Sequence, residues 1–265
     1  MGKLLRSDFY RLFRSKSFYI CTTIVSALLC LSIFMEKWAL KVATTQLEGM
    51  EGLPSTLRFK DGISYGLIAF TGGDIQMFIA IFSAIFITSE FVHGTMKNTI
   101  SKGYHRALVY ASKLITMIAA LFIMIFVLFI ASVIAGTIVT GEFGTFTAAT
   151  VGELFSIIGI EMLLYTALTA LFVMIAMIVR NNGGVIAINI LGVISFGTLI
   201  FSLLEYLFDS KIKFTEFSIQ YNISQFYMSM DLSSSTYIRA LIVGLVYLIV
   251  STGIGIFAFN KSDIK

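Results

Sequence analysis

Proline occurs once in this 265-residue chain, at Pro54, and cysteine twice, at Cys21 and Cys30. With so little proline, long helices can run uninterrupted, and spans broken at proline are not expected. Both cysteines fall inside the first apolar stretch and read as packed, reduced thiols, with no ground for a disulfide framework or redox chemistry. Charge is scarce too: 13% of residues are charged against 57% hydrophobic, above the roughly 45–50% apolar share of soluble domains. With a mean hydropathy of +0.91, the chain needs lipid as its solvent.

Catalytic signatures are also missing. The phosphate-binding pattern Gly-x-x-x-x-Gly-Lys-Ser/Thr does not occur, since Gly-Lys appears only at Gly2-Lys3, so the chain is not expected to be its own ATPase. No His-Glu-x-x-His or Gly-x-Ser-x-Gly is found, and the two histidines are His93 and His105. A membrane metalloprotease or serine hydrolase is not expected, nor is a metal site.

What is present is a series of apolar stretches. A hydrocarbon core about 30 Å thick takes about 20 apolar residues to cross. Six stretches meet this: 17–38, 74–92, 109–140, 152–179, 184–208 and 237–259. Basic residues precede the first one, but its length and the lack of a small-x-small cleavage pattern make it mature structure rather than a signal peptide. No internal repeat, low-complexity tract or linker appears, so 1–265 reads as one all-α transmembrane domain.

Six spans put both termini on one side. Twelve of the nineteen Lys and Arg residues then lie on that side, in 1–16, 97–113, Arg180 and 261–265, and seven lie on the other. The positive-inside rule places both termini in the cytoplasm. The outside carries loops at about 39–73 and 209–236 and a shorter connection near 141–151. Residues 48–54, which include the proline, are expected to form turns and short segments. The last outer loop mixes Phe214, Phe217, Ile219, Tyr221 and Phe226 with polar residues, which fits short interfacial helices.

Two cytoplasmic features are not spans. In residues 1–16, Leu4, Leu5, Phe9, Leu12 and Phe13 share one arc of a helix, and Lys3, Arg6, Ser7, Arg11 and Arg14 share the opposite one. This basic amphipathic helix is expected to lie on the inner leaflet. Asp8 falls inside the apolar arc and blurs the pattern. The helix can serve as a simple anchor or take part in coupling.

The second feature joins spans two and three. After Glu90, Gly94 loosens the helix, Thr95 can cap a new one, Met96 and Ile100 give it an apolar face, and Gly103 ends it. Such a loop is either topogenic or a docking helix, with Met96 and Ile100 set in a partner groove.

This segment resembles the loop between the second and third helices of ABC-2 type permeases. The match is carried by Glu90, Gly94-Thr95, Lys97-Asn98, Ser101-Lys102-Gly103, Arg106 and Lys113. The amphipathic start, the six-span layout, the large last outer loop and the tail Phe257-Ala-Phe-Asn-Lys-Ser-Asp-Ile264 are similar as well. The resemblance implies a type V exporter-like architecture in the bacterial cytoplasmic membrane. It implies a homodimer of permeases and a separate ABC ATPase subunit that supplies MgATP hydrolysis, this chain holding no cofactor. It also implies that Glu90, Gly94, Thr95, Met96, Lys97, Ile100, Gly103 and Arg106 form the ATPase-coupling element. The small stand-alone permeases of this kind serve peptide-antibiotic immunity and the export of amphipathic cytolytic peptides, and no nucleic-acid partner is implied.

Two acids lie inside apolar runs. Glu205, beside Tyr206, is expected to snorkel to the outer interface. Glu161 is either a hydrogen-bonding group in helix packing or an acid facing the substrate path. Small residues such as Gly192, Gly197, Gly244, Gly253 and Gly255 favour close helix packing. The alternatives to a permease subunit are a self-contained secondary transporter or channel, and an ATP-independent immunity or scaffold protein.

Overall fold

The computed structural model describes residues 1–46, 61–67, 69, 74–144, 148–208, 213–228 and 234–262. The stretch 48–54, Asp209, Asp231 and Asp263 lie outside the described residues. All regular structure among the described residues is helical: α1 (Gly2–Arg14), α2 (Lys16–Gln46), α3 (Gly62–Gly66), α4 (Asp74–Val92), α5 (Thr95–Ser101), α6 (Arg106–Thr140) and α7 (Ala148–Val179). There follow α8 (Asn182–Ala187), a π-helical segment (Ile188–Ser195), α9 (Gly197–Phe208), a 3-10 turn (Phe214–Phe217), α10 (Ile219–Met228) and α11 (Ser234–Lys261).

Among the described residues five helices are long and apolar enough to cross a membrane: α2, α4, α6, α7 and α11. They coincide with five of the six apolar stretches, to within a few residues at most ends. The sixth is not one straight helix. Residues 182–208 pass the same test only as a pair of segments bent by 47° between Ser195 and Gly197. Proline scarcity therefore did not guarantee unbroken spans.

The break has a local cause. In the π-helical segment the amide of Phe196 donates to Leu191 O, and Ser195 Oγ donates to Ile190 O. Both reach back five residues, and the backbone one belongs to a π-type ladder, which is wider and underwound relative to an α-helix. Gly192, Ser195 and Gly197 supply the weak points at which helices bend without proline. Asn189 is fully buried there and donates through Nδ2 to Ala80 O of α4 at 3.4 Å.

Helix α7 sits at the centre, packed against α11, α4 and α6, while α2 packs on α6 and α4. The outer faces of α2, α6 and α11 stay apolar and exposed, as shown by Phe34, Phe126 and Ile249. A surface of that kind is stable only in lipid. The short α3, between α2 and α4, lies hard against α6. Gly62 and Gly66 approach Thr137, Val133 and Phe129, and Gly136 faces Tyr65, leaving no room for a Cβ at any of the three glycines. Asp61 caps α3 by accepting the Ser64 amide at 2.8 Å.

Between α9 and α11 the described residues form the 3-10 turn and α10. Ile219, Ile223 and Phe226 of α10 are buried, and α10 packs on α7 and α11. Arg239 of α11 pairs with Glu216 at 2.8 Å and donates to Asn222 Oδ1. Glu205 does not stand free at the interface: its Oε2 accepts from the amide and hydroxyl of Thr215.

Candidate functional site

Helix α1 does not merely float on a leaflet. Its buried residues are Leu4, Asp8 and Leu12, and it packs on α6. Asp8, which blurred the amphipathic pattern, lies in the middle of this buried face at 5% exposure. A carboxylate there needs partners, because desolvation of an unpaired ion costs several kcal/mol or more.

The partners come from α6 and α4. Ser112 Oγ donates to Asp8 Oδ2 at 2.5 Å, and Lys113 Nζ donates to Asp8 Oδ1. The same Lys113 ammonium reaches Glu90 Oε1 at 2.5 Å, and Arg11 of α1 pairs with Glu90 as well. The Arg11 guanidinium also donates to Phe86 O and lies over the Phe86 ring, 4.0 Å from its centroid. Two carboxylates and two cations thus join α1, α4 and α6 with no net charge. Burial pushes Arg11 down to about 10, against the opposing pull of Asp8, which leaves it cationic at neutral pH.

Immediately beyond Glu90 the chain turns into α5. Gly94 adopts φ +67°, a left-handed conformation open to glycine at little cost, and Gly103 does the same at φ +84° on the far side. Thr95 does not cap α5: its Oγ1 donates back to Glu90 O at 3.2 Å and closes α4 instead. Met96 is fully buried within the chain, and Ile100 packs half-buried against the core. Met96 is thus covered by the chain itself and not free for a partner's groove, whereas Ile100 keeps part of its surface exposed. The outward face of α5 consists of Thr95, Lys97, Asn98, Ser101 and Lys102, with Val92 75% exposed beside it.

Arg106, at the start of α6, donates through Nη1 to Asn260 O at 2.9 Å, Ser262 O at 2.6 Å and Phe259 O at 3.3 Å. It caps the C-terminal end of α11, where orphan carbonyls and the helix dipole favour a cation. Glu90 is held by Arg11 and Lys113, not by Arg106.

The remaining candidates are dispersed. Arg6 and Arg14 are exposed on α1, and Arg14 stacks over Tyr10 with its guanidinium carbon 4.7 Å from the ring centroid. Glu161 is fully buried in α7, and neither carboxyl oxygen meets a hydrogen-bond partner among the described residues. Asp8 was not singled out as a site residue, and Lys113 only as part of a resemblance. The available signal was a charge inside the apolar arc of α1 and another inside the third apolar stretch.

No curated protein matches the chain. A family described as a protein of unknown function (DUF2705) matches residues 19–265, a span that includes α4, α5 and α6 and, of the ion network, Glu90 and Lys113, while Asp8 and Arg11 precede it. On that match the chain belongs to the DUF2705 family.

Proposed function

We propose that this chain is the membrane-spanning permease subunit of an ATP-driven ABC-2 type exporter, acting with a separate ATPase chain on its cytoplasmic face. The observation that supports this most directly is how α5 is mounted. A basic, exposed helix is pinned to the bundle at three points: Met96 in the core, Glu90 in the ion network and Arg106 on the end of α11. Force applied to Lys97, Asn98 and Lys102 would pass into α4, α6 and α11 together, with little slack. A loop serving topology alone has no need of such a mounting.

Two copies would enclose one path, since six spans are few for a complete one. The cargo expected from the resemblance is an amphipathic or hydrophobic peptide, moved outward across the bacterial cytoplasmic membrane, with both termini of the chain cytoplasmic.

The test is co-expression of the tagged full chain with an ATPase encoded beside it. A complex that hydrolyses MgATP is expected. Reversing Lys97 and Lys102 to Glu should lower co-purification at least tenfold while leaving the melting temperature of the chain unchanged. Hydrolysis by the chain alone, or full binding by the charge-reversed variant, would refute the reading.

One observation favours a second reading, a cation-coupled carrier. Glu161 is a carboxyl inside an apolar span with no hydrogen-bond partner among the described residues, and the bent fifth segment is of the kind that builds sites in secondary transporters. Transport that follows a proton gradient without ATP would decide for it.

A further inference from the structure

Beside the ion network lies a cavity of about 370 Å³ that the coupling reading does not use. It opens where α1 turns into α2, against the end of α4. Its polar wall carries the Arg11 and Arg14 guanidiniums, the hydroxyls of Ser17, Ser89 and Thr95, and His93. Glu90 also borders it, but that carboxylate is already neutralised by Arg11 and Lys113. Arg11 is committed to Glu90 and Phe86 O, and the Ser89 and Thr95 hydroxyls donate to Phe86 O and Glu90 O. The positive charge left to the cavity is that of Arg14, with the Ser17 hydroxyl on the same wall, and it selects an anion with several oxygens, such as a phosphate. The cavity also adjoins the first turn of α2, the end of a 31-residue helix that favours negative charge.

The wall opposite is apolar, formed by Ile85 and Phe86. From there α2 and α4 pack side by side, Phe18 on Phe82, so that the groove that runs between any two packed helices leads away from the cavity. On α2, the face that begins with Ser17 runs on through Ile20, Ile24, Leu28, Leu31 and Met35, at steps of three and four residues. All five are between 44% and 56% exposed. On α4, Ile81 and Phe78 extend the face of Ile85 and are half-buried. The other flank of α2 is closed against α6, where Cys30 and Lys37 donate to Ala131 O and Val139 O. A polar pocket with cations at its mouth and an apolar groove leading away from it matches one molecule end to end.

We propose that this cavity binds the phosphate of an anionic phospholipid, with one acyl chain lying in the groove between α2 and α4. The groove selects a lipid over inorganic phosphate or a soluble nucleotide, neither of which has a part to fill it. Lipid held there would brace α1 and α2 against α4, next to Glu90. The inference does not depend on whether the chain works with an ATPase.

The full chain in mild detergent, titrated with dioleoyl-phosphatidylglycerol and followed by melting temperature, provides the test, with native mass spectrometry counting bound lipid. The parent should retain one tightly held lipid per chain. Arg14→Gln, which leaves the buried network intact, should raise the lipid concentration for half-maximal stabilisation about tenfold, and Arg14→Lys should recover part of it. Lys3→Gln, an exposed cation of α1 outside the cavity, should change it less than twofold. An equal response of Arg14→Gln and Lys3→Gln would mean diffuse attraction to the headgroup layer and would overturn the site. Equal stabilisation by inorganic phosphate, lost in the same way with Arg14→Gln, would overturn the lipid assignment.

Discussion

Lys113→Met separates the buried network from an ordinary surface ion pair. Lys113 Nζ serves both carboxylates, whereas Arg11 reaches Glu90 alone. Removing the ammonium leaves Glu90 with Arg11 and leaves Asp8, at 5% exposure, with only the Ser112 hydroxyl. Breaking a buried pair on one side costs about 3–5 kcal/mol, because the surviving charge is stranded. At roughly 2–4 °C per kcal/mol for a chain of this size, the melting temperature should fall by on the order of 10 °C. Cys21 is buried and Cys30 partly so, so a Cys30→Ser background lets a thiol-reactive dye report the unmasking of Cys21 alone on heating. Adding Asp8→Asn to Lys113→Met removes the stranded charge and should restore most of the loss, a clear departure from additivity. A Lys113→Met variant that melts within 2 °C of the parent, or a double variant no better than the single, would refute the reasoning.

Two further predictions concern single residues. Arg106→Gln removes three bonds to the end of α11, worth about 1.5–3 kcal/mol locally as charge-assisted contacts; trypsin cleavage after Lys261, followed by mass spectrometry, should quicken at least tenfold, and an unchanged rate would mean that the cap carries no load. Glu161→Leu replaces an unpartnered buried carboxyl with an apolar side chain of similar size and should raise the melting temperature by a few degrees, whereas a clear drop would reveal a partner for Glu161; loss of transport in the stabilised variant would assign Glu161 to the path.

The straight spans were legible because lipid imposes one requirement on length and composition, and α4, α6, α7 and α11 meet it with long apolar runs. The fifth stretch meets it equally well by composition, which is why its bend was invisible. Hydropathy sums over a window and does not register hydrogen-bond pattern. The relevant clues, Gly192, Ser195 and Gly197 beside the buried Asn189, are weak one by one, and small residues in a span more often mark close packing. Packing of the segment against α4 and α7 decides between the two outcomes.

At the site, the cost of burial identifies which charges matter, but only packing says which meet. Asp8 in an apolar arc and Lys113 inside an apolar stretch each violate a local pattern, and two violations of opposite sign are cheaper together than apart. The 105 positions between them hide the pairing. Glu90 and Arg106 flank the same short helix α5, yet the end of α4 faces α1, and Arg106 lies against α11. Met96 follows the same logic from the apolar side. Helical periodicity finds the apolar face of α5 but carries no information on what covers it, a partner or the chain itself. Here the chain covers it, which turns the exposed lysines, and not the apolar residues, into the face on which a docking ATPase is to be tested.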